Sequence, residues 1–306
     1  MDIIGKRYLF FAISLAIIIP GVIALALWGL PWAIDFTGGS VLEVQFDKGK
    51  APDPAEVIAL YNKFGIVSPI VQSSENDVIL IRSKEVNEET KTAIVTGLEG
   101  LSGSNVVILR FDTVGPAMGQ EVTKNAAIAV AAASFFILLY IAYAFRNIPH
   151  AYRYGIAAII ATIHDILVVL GAAAILGHFL HWEVDALFLT ALLTVIGFSV
   201  HDDVVVFDRI RENMTLYRRV NFEDVVNYSI VQTMDRSINT QFTVMLVLLS
   251  LILFGGVTIR QFVVTLLIGV FSGTYSSIFN AAPILVVWEN QEWKTWFRKK
   301  QPKTAV

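Results

Sequence analysis

The stretch Gly197-Phe-Ser-Val-His-Asp-Asp-Val-Val-Val-Phe-Asp-Arg-Ile-Arg-Glu-Asn213 begins inside a long apolar segment and ends in a charged run. His201, Asp202 and Asp203 stand where a lipid-embedded helix is expected to carry Leu or Val. One carboxylate near mid-membrane costs about 2.5–3.5 kcal/mol on insertion scales. Such groups face a bundle interior and mark ion or proton paths. The pattern therefore points to a membrane helix that carries proton chemistry.

The rest of the chain fits that reading. Its 306 residues are 55% hydrophobic and 16% charged, with a mean hydropathy of +0.64. Soluble chains are about a quarter charged, so this is an integral membrane protein. Six segments are long and apolar enough to span: Tyr8–Leu30, Ala126–Phe145, Tyr154–Leu176, Val184–Phe207, Ile238–Phe254 and Phe262–Trp288. Pro20-Gly21 is a potential kink in the first. Most Lys and Arg residues, among them Lys6, Arg7, Arg146, Arg153, Arg209, Arg211 and Arg236, fall at alternate ends of these segments. The positive-inside rule then places both termini in the cytoplasm. The first segment also has the basic start and Ala24-Leu-Ala26 of a signal peptide. Its apolar run continues through Leu30, which favours an uncleaved anchor.

Residues 35–118 read differently. Val41-Leu-Glu-Val-Gln-Phe46 alternates as a strand, and further strands are expected at Ile66–Gln72, Asp77–Ile81 and Asn105–Phe111. Helices are expected at Pro54–Phe64 and Asn87–Leu98. The order β-α-β-β-α-β is that of a ferredoxin-like unit. The expected fold is an α-helical polytopic membrane protein with six transmembrane helices and a small ferredoxin-like α+β extracytoplasmic domain. Residues 1–34 supply the N-terminus and first helix, 35–118 the outer domain, 119–292 the other five helices, and 293–306 a basic cytoplasmic tail.

The candidate site follows from polar residues inside the spans. Asp202 lies about 27 Å along its helix from Val184, with Val204–Phe207 still to follow. The alternative is a carboxylate facing water at the cytoplasmic end. Asp203 points about 100° away from it. His201 either titrates near neutral pH or hydrogen-bonds a neighbour. His164-Asp165 forms a second polar island, in the middle of the third span. It reads as a relay partner or as a buried structural pair. Arg236, Thr240 and Thr243 share one face of the fifth span. A guanidinium moving toward and away from Asp202 would switch that acid's proton affinity, whereas a plain positive-inside anchor would not. Gly269 and Gly273 form a GxxxG packing face in the last span.

Other chemistries find no support. The net charge of -3 argues against a nucleic-acid partner. No cysteine is present, which excludes disulfides and thiolate metal sites. No P-loop and no HExxH occurs. No enzyme activity, metal or cofactor is expected.

Taken together, these residues resemble the SecF family, subunits of the SecDF protein-export machinery and relatives of the resistance-nodulation-division transporters. Asp35-Phe-Thr-Gly38-Gly39 is similar to the family's D-F-x-G-G element, and Val114-Gly115-Pro116 with Gly119 to the element before the second span. His164-Asp165, Gly197–Asn213 and Gly269–Phe279 resemble its third, fourth and sixth span signatures. The resemblance implies a SecD partner, work beside the SecYEG channel, an unfolded preprotein as substrate, and a bacterial or archaeal cytoplasmic membrane with its lipid as surroundings. It implies that the proton-motive force drives export, with Asp202 as the proton-path acid and Arg236 as the membrane Arg. Three positions depart from the pattern: His201 stands for an Asn, Asp203 for a small hydroxyl residue and Gln261 for a common Asp. Two other functions share this architecture: half of a proton-driven exporter of lipids or small molecules, and a non-transporting scaffold for the secretion channel.

Overall fold

The computed structural model describes residues 1–74, 77–146 and 150–294. Most of the expected basic tail, residues 295–306, lies outside them. The described chain forms two compact units, one of residues 1–31 and 130–306, the other of residues 32–129.

The smaller unit is built on a four-stranded sheet. β1 (Gly39–Gln45), β2 (Ile70–Ser74), β3 (Val78–Ser83) and β4 (Val107–Val114) lie in the order β2-β3-β1-β4, and every pair is antiparallel. Alternation sets its register. Leu42 and Val44 of β1 sit opposite Ile81 and Ile79 of β3, and all four turn inward. They meet Val57 and Tyr61 of α3 (Pro54–Lys63) and Ile94 and Leu98 of α4 (Glu88–Ser102). Burial holds the Tyr61 phenol above its ordinary range. Side-chain caps start both helices: Asp53 accepts from the Ala55 amide at 2.8 Å, and Asn87 from the Thr90 amide at 2.8 Å. Pro54 suits the first helical position, where no amide donor is needed.

The two glycine elements of this unit hold each other. A short helix α2 (Ile34–Thr37) leads into Gly38 and Gly39, at φ +71° and +128°. Only glycine adopts such angles freely. A Cβ on Gly38 would lie 2.9 Å from the Pro116 Cα, and one on Gly119 would lie 2.8 Å from the Gly38 nitrogen. Asp35–Gly39 and Gly115–Gly119 therefore need backbone contact without side chains.

Among the described residues, six helices are long and apolar enough to cross a membrane. They are α1 (Arg7–Trp28), α5 (Pro116–Ala144), α6 (Ala151–Leu180), α7 (Ala186–Leu216), α8 (Phe222–Phe254) and a last span made of α9 (Val257–Ser276), a π-helical turn (Ser277–Ala281) and α10 (Ala282–Glu289). Most exceed the apolar runs expected from sequence, because a helix continues into polar surroundings where hydropathy falls. α8 starts 16 residues before Ile238, so Arg236 lies inside a helix rather than at its start. Pro20 sits within α1 without ending it. The π turn lies just before Pro283, whose ring and missing amide disturb α-helical bonding to the preceding turn.

α6, α7 and α9 pack together, with α1 on α6 and α8 on α7 and α9. Small residues set the close approaches. A Cβ on Gly21 would lie 2.9 Å from the Gly171 Cα, and one on Gly269 would lie 2.1 Å from a Val195 methyl. The helix ends are tied by polar contacts. Arg7 of α1 pairs with Glu292 and, at 3.4 Å, with Glu223 of α8. Tyr8 donates to Glu292, and Asn290 donates to Glu223 at 2.5 Å.

Partial burial pushes Glu292 up, but hydrogen bonds from Tyr8, Arg7 and Asn290 and the Arg7 charge outweigh it and hold the carboxyl below its ordinary 4.5. A carboxyl lowered on folding adds stability above its unfolded value and loses it as pH falls through the folded one. Thermal unfolding in detergent should show wild type losing stability through this acid window. Glu292→Gln should start less stable at neutral pH and lose less on acidification; equal acid sensitivity would remove Glu292 from the account.

Candidate functional site

α7 presents Ser199, Asp202, Asp203 and Val206 on one buried face, as their spacing of three and four residues requires. His201 falls on the opposite side and is exposed. α6 brings His164 and Asp165, both buried, to the same level. α9 adds Ser272 and Ser276, one helical turn apart. Gly273 admits this approach: its Cβ position lies 3.4 Å from Ser199 and 3.7 Å from an Asp165 carboxylate oxygen.

The three carboxyl groups have different surroundings. Asp165 is fully caged. Its Oδ1 accepts from Ser272 at 2.6 Å and lies 3.0 Å from His164 Nδ1. Its Oδ2 accepts from Ser199 at 2.6 Å and Ser276 at 2.7 Å. Three hydroxyls and an imidazole on three helices thus converge on one carboxylate. Asp202 has one partner, Gln241 of α8, whose Nε2 donates to Oδ2 at 2.6 Å. Asp203 is 0% exposed, and neither of its oxygens has a hydrogen-bond partner among the described residues.

The inward face of α8 carries Thr233, Ser237 and Gln241. Arg236, Asn239, Thr240 and Thr243 are exposed on the outward face. Among the described residues, the residue of the fifth span that hydrogen-bonds Asp202 is therefore Gln241. Gln261 binds elsewhere: its Nε2 donates to the Glu183 carbonyl at 3.0 Å. Outside the carboxyl cluster, His164 borders an apolar cavity of about 770 Å³ between α1, α6 and α9, and its Nε2 is buried without a partner among the described residues. No three His, Asp or Glu side chains among the described residues converge as a metal site.

Sequence reasoning passed over Ser199, Ser272, Ser276 and Gln241. The available signal was their spacing. Ser272 and Ser276 repeat at four residues beside the glycines of an apolar helix, and Ser199 sits one turn before Asp202 and Asp203.

Comparison with known proteins matches residues 94–291 to the C-terminal domain of the protein export membrane proteins SecD/SecF, and residues 24–50 to the SecD/SecF GG motif. The chain is 54% identical over 300 residues to the protein translocase subunit SecF of Anaerolinea thermophila, covering 98% of this chain and 97% of the relative. It is 48% identical over 316 residues to that of Thermobaculum terrenum, covering 100% of this chain and 99% of the relative. The crystal structure of SecDF from Thermus thermophilus, described as a translocon-associated membrane protein, superposes with a TM-score of 0.81 at 30% identity. That match covers 95% of this chain and 39% of the longer solved chain.

The cage generates a stability prediction. Asp165→Leu removes the shared partner of three hydroxyls and an imidazole, of which only Ser276 has a second acceptor, the Gly273 carbonyl, and should cost on the order of 3 kcal/mol or more, whereas Ser276→Ala should cost about 1.5–3 kcal/mol. Equilibrium unfolding of the purified variants checks the order. Asp165→Leu as stable as Ser276→Ala would mean that the cage does not hold the helices.

Proposed function

The chain belongs to the SecD/SecF family of protein-export membrane proteins, and from that premise we propose that it is the SecF half of a proton-driven export accessory. In this reading it pairs with SecD, works beside the SecYEG channel and helps draw unfolded preproteins to the outer side of a cytoplasmic membrane. Both termini lie inside. The four-stranded unit is a ferredoxin-like domain on the extracytoplasmic side, positioned to act on the emerging chain.

The observation that carries the reading is the burial of Asp165, Asp202 and Asp203 in adjacent membrane helices. Buried carboxyls inside a bilayer are costly and mark proton routes. Asp202 is the proton carrier. It has a single hydrogen-bond partner among the described residues, so a proton can reach it without dismantling a network. Gln241 suits the role because its amide donates to the ionised carboxylate, and its carbonyl Oε1, unpartnered among the described residues, can accept from the protonated one after a flip. Arg236 supplies the nearby positive charge. Asp165 and His164 fix the helix positions against which the carrier works. One charge crossing about 100 mV yields about 2.3 kcal/mol. That biases a two-state packing about fifty-fold and does not unfold a stable domain. Pulling therefore requires repeated cycles or a substrate that is already unfolded.

The outward face of α7 and α8 supports the pairing with SecD. His201, Arg236, Asn239, Thr240 and Thr243 are exposed within otherwise apolar helices. Polar groups at this depth do not face lipid; a second set of membrane helices would cover them. A small-molecule exporter half is less favoured because the outer unit has one small α/β core.

The experiment is preprotein export into membrane vesicles with and without a proton gradient. Asp202→Asn should abolish the gradient-dependent part, a loss of at least ten-fold in that component, while the folded protein still accumulates. A variant that exports like wild type under the gradient would support the scaffold reading instead.

A further inference from the structure

The carboxyl group of Asp203 stands apart from its two neighbours. It is 0% exposed within this chain alone, so no partner subunit is needed to bury it. Both oxygens lack a partner among the described residues. An isolated carboxylate in such surroundings carries a desolvation penalty of several kcal/mol; the group keeps its proton instead. Asp165 is the opposite case. Its cage supplies three hydroxyl donors and His164.

The helices packed against α7 bring few other charges to the cluster. α6 contributes His164, already engaged with Asp165. α8 contributes Gln241, bonded to Asp202, and Arg236, which is exposed on its outward face. α9 contributes the hydroxyls of Ser272 and Ser276. None of these pairs directly with Asp203.

We propose that Asp203, fully buried and without a partner among the described residues, is a second proton-binding carboxyl of this site, protonated in the conformation described. The inference rests on the proton-driven reading of the protein and adds a second proton to it. In the cycle the O–H bond of Asp203 breaks, its proton passes to water admitted from the inner side, and the carboxylate left behind is protonated again from the outer side. No electron moves. Water must reach a side chain that is fully buried in the conformation described. Asp203 therefore discharges only when α6, α7 and α9 repack.

Infrared spectroscopy of the full chain in liposomes tests this directly, without needing export to work. At neutral pH the wild type should show the C=O absorption of a protonated carboxylic acid. Asp203→Asn and Asp203→Thr should both lose it, with unfolding midpoints measured to verify that each variant is folded. Asp165→Asn should keep the absorption. An absorption that survives in both Asp203 variants, or is missing from wild type, would overturn the assignment. Either failure alongside intact gradient-driven export would count against Asp203 alone and leave the Asp202 mechanism standing.

Discussion

The carboxylate of Asp165 is the fixed point of the membrane unit. It draws a hydrogen bond from α7 and two from α9, and it is braced by His164 on its own helix. In a medium that offers no competing water, such charge-assisted bonds are strong, and a missing donor is costly. The rest of the packing is arranged so that they can form. Gly269 brings α9 onto Val195 of α7 at a distance that a side chain would forbid, and Gly273 lies against Ser199. α1 closes on α6 through Gly21 and Gly171 in the same way. Lipid supplies no hydrophobic drive for helix association, so close packing and interhelical hydrogen bonds supply it.

Around that fixed point the carboxyls are graded. Asp165 has a full set of donors, Asp202 has one, and Asp203 has none among the described residues. The gradation separates roles that three identical side chains would otherwise share. A fully bonded carboxyl holds helices together. In the proposed reading the carboxyl with one amide partner is the proton carrier, and each change of its charge alters which helix contacts are favourable.

Much of this architecture was legible in the sequence. Length and hydropathy located six membrane helices, and two-residue alternation located each strand to within a few residues. Other features were hidden for physical reasons. Hydropathy marks the lipid-facing part of a helix and not its ends, so the start of α8 at Phe222 was invisible until the backbone was traced. The face of α8 turned toward Asp202 could not be chosen from spacing alone. Arg236-Thr240-Thr243 and Ser237-Gln241 are equally regular, and only packing shows that the second pair points inward. The serine cage was obscured because an isolated Ser in a membrane helix usually bonds its own backbone, as Thr162 and Ser250 do here. Its meaning appears only when three helices bring their serines to one carboxylate.

The central claim is that protonating the buried carboxyls repacks α6 against α7. The chain has no cysteine, so spin labels can be placed singly at Tyr152→Cys and Leu216→Cys, exposed positions near the start of α6 and the end of α7. Pulsed electron resonance in liposomes then reads the distance between them as pH is lowered. The account predicts a shift in the distance distribution on acidification that is absent when Asp202→Asn is added. A distance that does not respond to pH, or the same response in Asp202→Asn, would contradict it.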